Sequence, residues 1–67
     1  MPFSYNKLWK LLIDKSMNKV ALRDAIGITP STLSKLSKNQ NVSMDVLERI
    51  CKELDCNIGD IVDYLDV

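Results

Sequence analysis

The sequence predicts an all-α protein, a compact five-helix bundle, and three observations carry that expectation. A helix start is marked by a small polar cap, with an apolar residue just before it that packs on an apolar residue four after it. That triplet occurs at Phe3/Ser4/Leu8, Met17/Asn18/Leu22, Ile28/Thr29/Leu33, Val42/Ser43/Leu47 and Cys56/Asn57/Ile61. The caps are spaced 14, 11, 14 and 14 residues apart, which leaves no room for strands of useful length, and no alternating pattern competes. Between the caps, apolar residues recur at helical spacing. With 67 residues there is room for one small domain, which buries only about 60% of its unfolded surface.

The first helix, expected over 5–15, places Leu8, Leu11, Leu12 and Lys15 on one side, with Trp9 and Ile13 flanking. The second is expected over 19–26, behind the Asn18 cap. The third, over 30–38, opens with Pro30 at its first position, where a missing N–H costs nothing. The fourth, over 44–54, carries Val46, Leu47, Ile50, Cys51 and Leu54 on one stripe, and its first turn holds Asp45, where the helix dipole favours an anion. The fifth is expected over 58–65, with Asn57 and Asp60 arranged as a capping box. Together the stripes make a single core.

The second and third helices are each about two turns long, too short to persist alone in water. Gly27 falls where a left-handed residue ends a helix, and Thr29-Pro30 at once begins another. That is a helix-turn-helix. Leu22, Ile26, Ile28, Leu33 and Leu36 are spaced to pack the pair together and onto the first and fourth helices.

Leu22 five before the turn glycine, Ile28 just after it, and then Thr29-Pro30-Ser31-Thr32-Leu33-Ser34-Lys35-Leu36 together resemble the helix-turn-helix of the phage repressor and Cro class, the Xre family. The stretch from Val42 to Ile61 is similar to the fourth and fifth helices of one small bacterial branch of that family. The resemblance runs from about Tyr5 to Tyr64, nearly the whole chain. One position departs from it. Four before the turn glycine the family usually has Ala, because the two helices approach closely there, and here stands Arg23, whose long stem is expected to snorkel out of the contact.

On a wheel of about 100° per residue, Leu33 and Leu36 define the buried side of the third helix. Opposite them lie Ser31, Ser34, Lys35 and Lys38, with Thr32 to one side. Short hydroxyls and cations without an acid suit a major groove lined with acceptors and flanked by phosphates. A plain solvated helix face has the same composition. The resemblance implies base contacts from Ser31, Thr32, Ser34 and Lys35, and a backbone clamp from Asn18, Lys19 and Thr29, where helix starts present free N–H groups. Lys38, Asn39, Gln40 and Asn41 come after the reading helix and are candidates for the same strand, with an ordinary polar loop as the alternative.

Nine Lys and Arg balance nine Asp and Glu, and a net charge of zero counts against nucleic acid. The distribution restores the case. Residues 1–40 hold seven cations and two acids, hence +5, and residues 41–67 hold two cations and seven acids, hence −5. The basic half is the half with the motif.

The chain has no His and only two Cys, so neither a zinc site nor a general base near neutrality is expected, and no convergent carboxylates offer enzymatic chemistry. No cofactor and no small-molecule ligand is expected. Cys51 and Cys56, five apart, would lie about 7.5 Å apart along a shared helix, too far for an unstrained bridge, and read as reduced core thiols. Trp9 and Tyr64 read as packing anchors, with no cations around them. Lys7, Lys10 and Asp14 interrupt the N-terminal apolar stretch, so neither a targeting segment nor a membrane span is expected.

Two functions from different classes remain. The first is a sequence-specific regulator of double-stranded DNA, a repressor acting by occupying a palindromic operator, in the bacterial cytoplasm and on the nucleoid when bound. The second is a helix-turn-helix-derived interaction module, antitoxin-like or an adaptor, that binds a protein. Ile61, Val62, Tyr64, Leu65 and Val67 form an apolar end suited to a weak homodimer.

Overall fold

Three of the five start signals become helix starts with the expected cap bond, as seen in the computed structural model, which describes residues 3–65. Asn18 Oδ1 accepts the Ala21 N–H at 2.7 Å and begins α2 (Lys19–Ile26). Thr29 Oγ1 accepts the Thr32 N–H at 3.1 Å and begins α3 (Pro30–Ser37). Ser43 Oγ accepts the Val46 N–H at 3.3 Å and begins α4 (Met44–Leu54). These caps satisfy donors that would otherwise be orphaned at each helix start.

The first start differs. In α1 (Asn6–Asp14) the cap position is Tyr5, and Ser4 Oγ instead accepts the Asn6 N–H at 3.2 Å. Ser4 belongs to a strand. Phe3–Ser4, β1, pairs antiparallel with Asp63–Tyr64, β2, in the register Phe3 with Tyr64 and Ser4 with Asp63. The Phe3 and Tyr64 rings meet edge to face with centroids 5.4 Å apart.

The expected fifth helix is therefore corrected. Among the described residues there are four α-helices, and residues 58–65 form a 3-10 turn, Ile58–Asp60, followed by β2. The expected Asn57–Asp60 capping box does form, with the Asn57 N–H donating to Asp60 Oδ2 at 2.9 Å. One turn is all it supports. Beyond it Ile61, Val62 and Tyr64 favour extended backbone, and the open edge of β1 offers them a partner. Lys7 fastens this end, donating to the Gly59 carbonyl at 3.3 Å and pairing with Asp63 at 3.7 Å.

The core draws Leu8 and Leu12 from α1, Leu22 and Ile26 from α2, Leu36 from α3, and Leu47, Ile50 and Leu54 from α4, closed by Tyr5 and Ile61. Leu33, expected to be buried, is only half-buried and lies outside this cluster. It begins the second turn of a short helix whose next apolar residue, Leu36, takes the central place. Ile61 is fully buried, so it cannot form a contact surface with another molecule. Cys51 and Cys56 are free thiols packed on the core, as expected, but they do not share a helix. α4 ends at Leu54, Asp55 turns left-handed at φ 52°, and the Cys56 N–H donates back to the Cys51 carbonyl at 3.0 Å. The thiols thus stand beside each other as half-buried free cysteines, and burial, with Cys51 close by, pushes the Cys56 thiol up.

Among the described residues no helix is long and apolar enough to cross a membrane. Among them, too, no cluster of three or more His, Cys, Asp or Glu side chains is arranged to hold a metal ion.

Candidate nucleic-acid interface

The turn between α2 and α3 is built by one left-handed residue. Gly27 sits at φ 71°, its N–H donating to the Arg23 carbonyl at 2.9 Å, and the Ile28 N–H reaches the same carbonyl at 3.3 Å. A Cβ on Gly27 would meet nothing within 4 Å, so glycine is needed for its backbone angle and not for space. Arg23 does turn outward. Its guanidinium pairs with Asp24 at 3.2 Å, and 30% of the side chain remains exposed.

With Leu36 buried, Ser31, Ser34, Lys35 and Ser37 of α3, with Lys38 at its C-cap, face solvent as one arc. Thr32 is half-buried on the flank, its Oγ1 3.0 Å from Thr29 Oγ1. Thr32 and Lys35 share a shallow groove with Asn41 and Ser43, so the loop after α3 borders one side of the arc. The helix starts differ in charge. The first turns of α1, α2 and α3 contain no acid, whereas α4 has Asp45 and the 3-10 turn has Asp60. The positive dipole ends of α2 and α3 are thus left without a compensating acid in the first turn.

The loop residues divide. Lys38, Gln40 and Asn41 are exposed. Asn39 is half-buried in the left-handed conformation at φ 57°, and its Oδ1 accepts the Tyr5 N–H at 3.1 Å. The Gln40 N–H donates to the Lys35 carbonyl at 2.8 Å, closing α3 in a Schellman-type stop. Tyr5 Oη donates to the Gln40 carbonyl at 2.9 Å. Asn39 therefore ties the loop to the start of α1, a role that sequence reading missed because its partner lies 34 residues away.

Lys19 lies on the other border of the arc. Its Nζ stands 4.2 Å from the centroid of the Trp9 ring and 3.3 Å from Ser37 Oγ, so it touches α1 and α3 from the start of α2. Trp9 packs on the core as expected, but the expectation that no cation accompanies it is overturned. Ser37 was not among the expected contacts. Among the described residues Lys19, Lys35 and Lys38 make no ion pair, nor do Lys10, Lys15 and Lys52, while Lys7, Arg23 and Arg49 are each matched with an acid.

A short helix pair with a left-handed glycine between them, an exposed hydroxyl- and lysine-bearing second helix and acid-free helix starts define a helix-turn-helix domain. A family profile described as the Cro/C1-type HTH DNA-binding domain matches residues 7–66, and the chain belongs to that family. It is similar to the HTH-type transcriptional regulator YozG of Bacillus subtilis (strain 168), itself uncharacterised, at 38% identity over 56 residues, 81% of this chain and 67% of the relative. It is also similar to the crystal structure of the transcriptional regulator VanUg, with a TM-score of 0.94 and 56% identity, over 96% of this chain and 85% of that one. The chain is a DNA-binding domain of the transcriptional-regulator class, and this family is not a class of enzymes.

Proposed function

We propose that the protein is a sequence-specific regulator that represses by occupying an operator, with α3 in the major groove of double-stranded DNA. The observation that carries this reading is the exposed arc of α3, which bears three serines and two lysines with no acid. Ser31, Ser34 and Lys35 read base edges, with Thr32 at the flank. Asn18, Lys19, Thr29, Lys38, Gln40 and Asn41 face phosphates, and Asn39 contributes chiefly by shaping the loop. Action is in the cytoplasm, on the nucleoid.

Two copies on a palindrome complete the reading. One short helix spans too few base pairs to select a genomic site against nonspecific competition. With Ile61 buried and Val67 outside the described residues, the candidate self-contact shifts. It becomes the apolar surface of Phe3, Met44, Ile58 and Tyr64, with Leu65 and half-buried Val62. Phe3, Met44, Ile58 and Val62 line one groove there. That same exposed surface is what favours the second reading, a protein-interaction module.

Selection of bound duplexes from a random pool, followed by titration across salt, separates the two. An enriched palindrome bound with affinity that falls steeply with ionic strength is the expected result. No enrichment, and salt-independent capture of a protein ligand, would reject the DNA reading.

A further inference from the structure

Lys19 occupies the first position of α2, where the positive end of the helix dipole opposes a cation. Nothing in helix formation calls for it. No acid lies in the first turn to compensate, and its two close partners are both neutral: the Trp9 ring at 4.2 Å and the Ser37 hydroxyl at 3.3 Å. A lysine head ordinarily sweeps a wide volume on its flexible stem. Here the ring is anchored by packing on the core, and Ser37 sits on the exposed arc of α3, so the ammonium is held at the edge of the reading face with its full charge unspent.

Building on the DNA-binding reading above, we infer that Trp9 and Ser37 are positioning residues for DNA affinity. They hold Lys19 Nζ where it meets a backbone phosphate. The ring attracts the ammonium through its quadrupole without neutralising it, which a carboxylate in the same place would do. The hydroxyl ties the start of α2 to the end of α3, so the clamp and the reading helix move as one body. Trp9 acts through Lys19 and makes no DNA contact of its own.

The test is a cycle of W9L, W9F, S37A and K19M, titrated against a mixed-sequence duplex over a range of salt, at a temperature where circular dichroism shows each variant folded. K19M lowers the slope of log affinity against log salt by about one, because one phosphate contact is lost. W9L and S37A each weaken binding about fivefold, the size of an exposed cation–π contact for the first and of one hydrogen bond for the second, but leave the slope unchanged because the charge remains. In the K19M background neither has a further effect, and W9F retains part of the wild-type affinity. S37A leaves the core untouched, so it decides the matter should W9L unfold. The chain has a single Trp, so its emission in the free protein reports the ring's environment, and K19M is expected to shift it. Losses from W9L and S37A that persist undiminished in K19M would overturn the inference while leaving DNA binding intact. Failure of the wild type to bind duplex at low salt would overturn both.

Discussion

Ser16 and Asn39 hold the same left-handed angle, φ 57°, just past the ends of α1 and α3, at unequal cost. Asparagine tolerates that region, whereas serine gains little to offset the clash of its Cβ. Ser16→Gly is therefore expected to stabilise the fold by about 0.5–1 kcal/mol, read as a higher midpoint of chemical denaturation. An unchanged midpoint would contradict the strain assigned to Ser16. Tyr5 carries a second consequence at this scale. Its phenol is buried and donates to the Gln40 carbonyl at 2.9 Å, and burial raises its pKa above the ordinary value of 10.0. The unfolded chain then releases that proton first, so the contribution is complete below about pH 10 and is lost as pH climbs toward the raised folded value. Tyr5→Phe should lose about 1 kcal/mol near neutrality, the worth of the hydrogen bond, and should flatten this alkaline limb. Equal alkaline slopes for the two proteins would count against the assignment.

Among the elements, α3 shows how far a helical wheel reaches. Leu33 and Leu36 look equivalent in sequence, yet Leu36 is fully buried and Leu33 is only half-buried. Leu36→Ala is expected to cost about 2–5 kcal/mol, close to the whole stability of so small a domain, and Leu33→Ala clearly less. Thermal melts that ranked them the other way would overturn the register of α3. On the outer side of the same helix, Lys35→Ala should cost about 1–3 kcal/mol and relax discrimination at one or two base pairs. Lys19→Ala should weaken all duplexes alike and lower the salt slope by about one. Identical profiles across matched and mismatched duplexes would erase the distinction between reading and clamping. The last element departs from its sequence signal for a physical reason. Asn57 and Asp60 signal a start, but a cap says nothing about length, and the path of the chain beyond Asp60 is decided by pairing with the strand at residues 3–4.

At the scale of the whole molecule, the zero net charge conceals a separation of +5 over residues 1–40 from −5 over residues 41–67. In the fold the halves meet at one end, where Lys7, Lys10 and Lys15 lie beside Asp55 and Asp60 and Lys7 pairs with Asp63, which leaves the cations of α3 away from those acids. The described body measures 32 × 24 × 18 Å, and reading helices of a two-fold dimer stand about 34 Å apart on DNA, so two copies in edge contact fit the spacing. We expect sedimentation to show mostly monomer in free solution and two protomers per selected duplex, because a contact this small falls below a standard interface. One protomer per high-affinity site would remove the dimer. The cap bonds of α2, α3 and α4 join residues three apart, and the Gly27 turn needs only its own backbone freedom, so these were legible in the chain alone. The pairing of β1 with β2, the hold of Asn39 on Tyr5, and the seat of Lys19 between Trp9 and Ser37 were not. Each joins segments far apart in sequence, and neither partner carries a signal of the other until the core of Leu8, Leu22, Leu36 and Ile50 has brought them together.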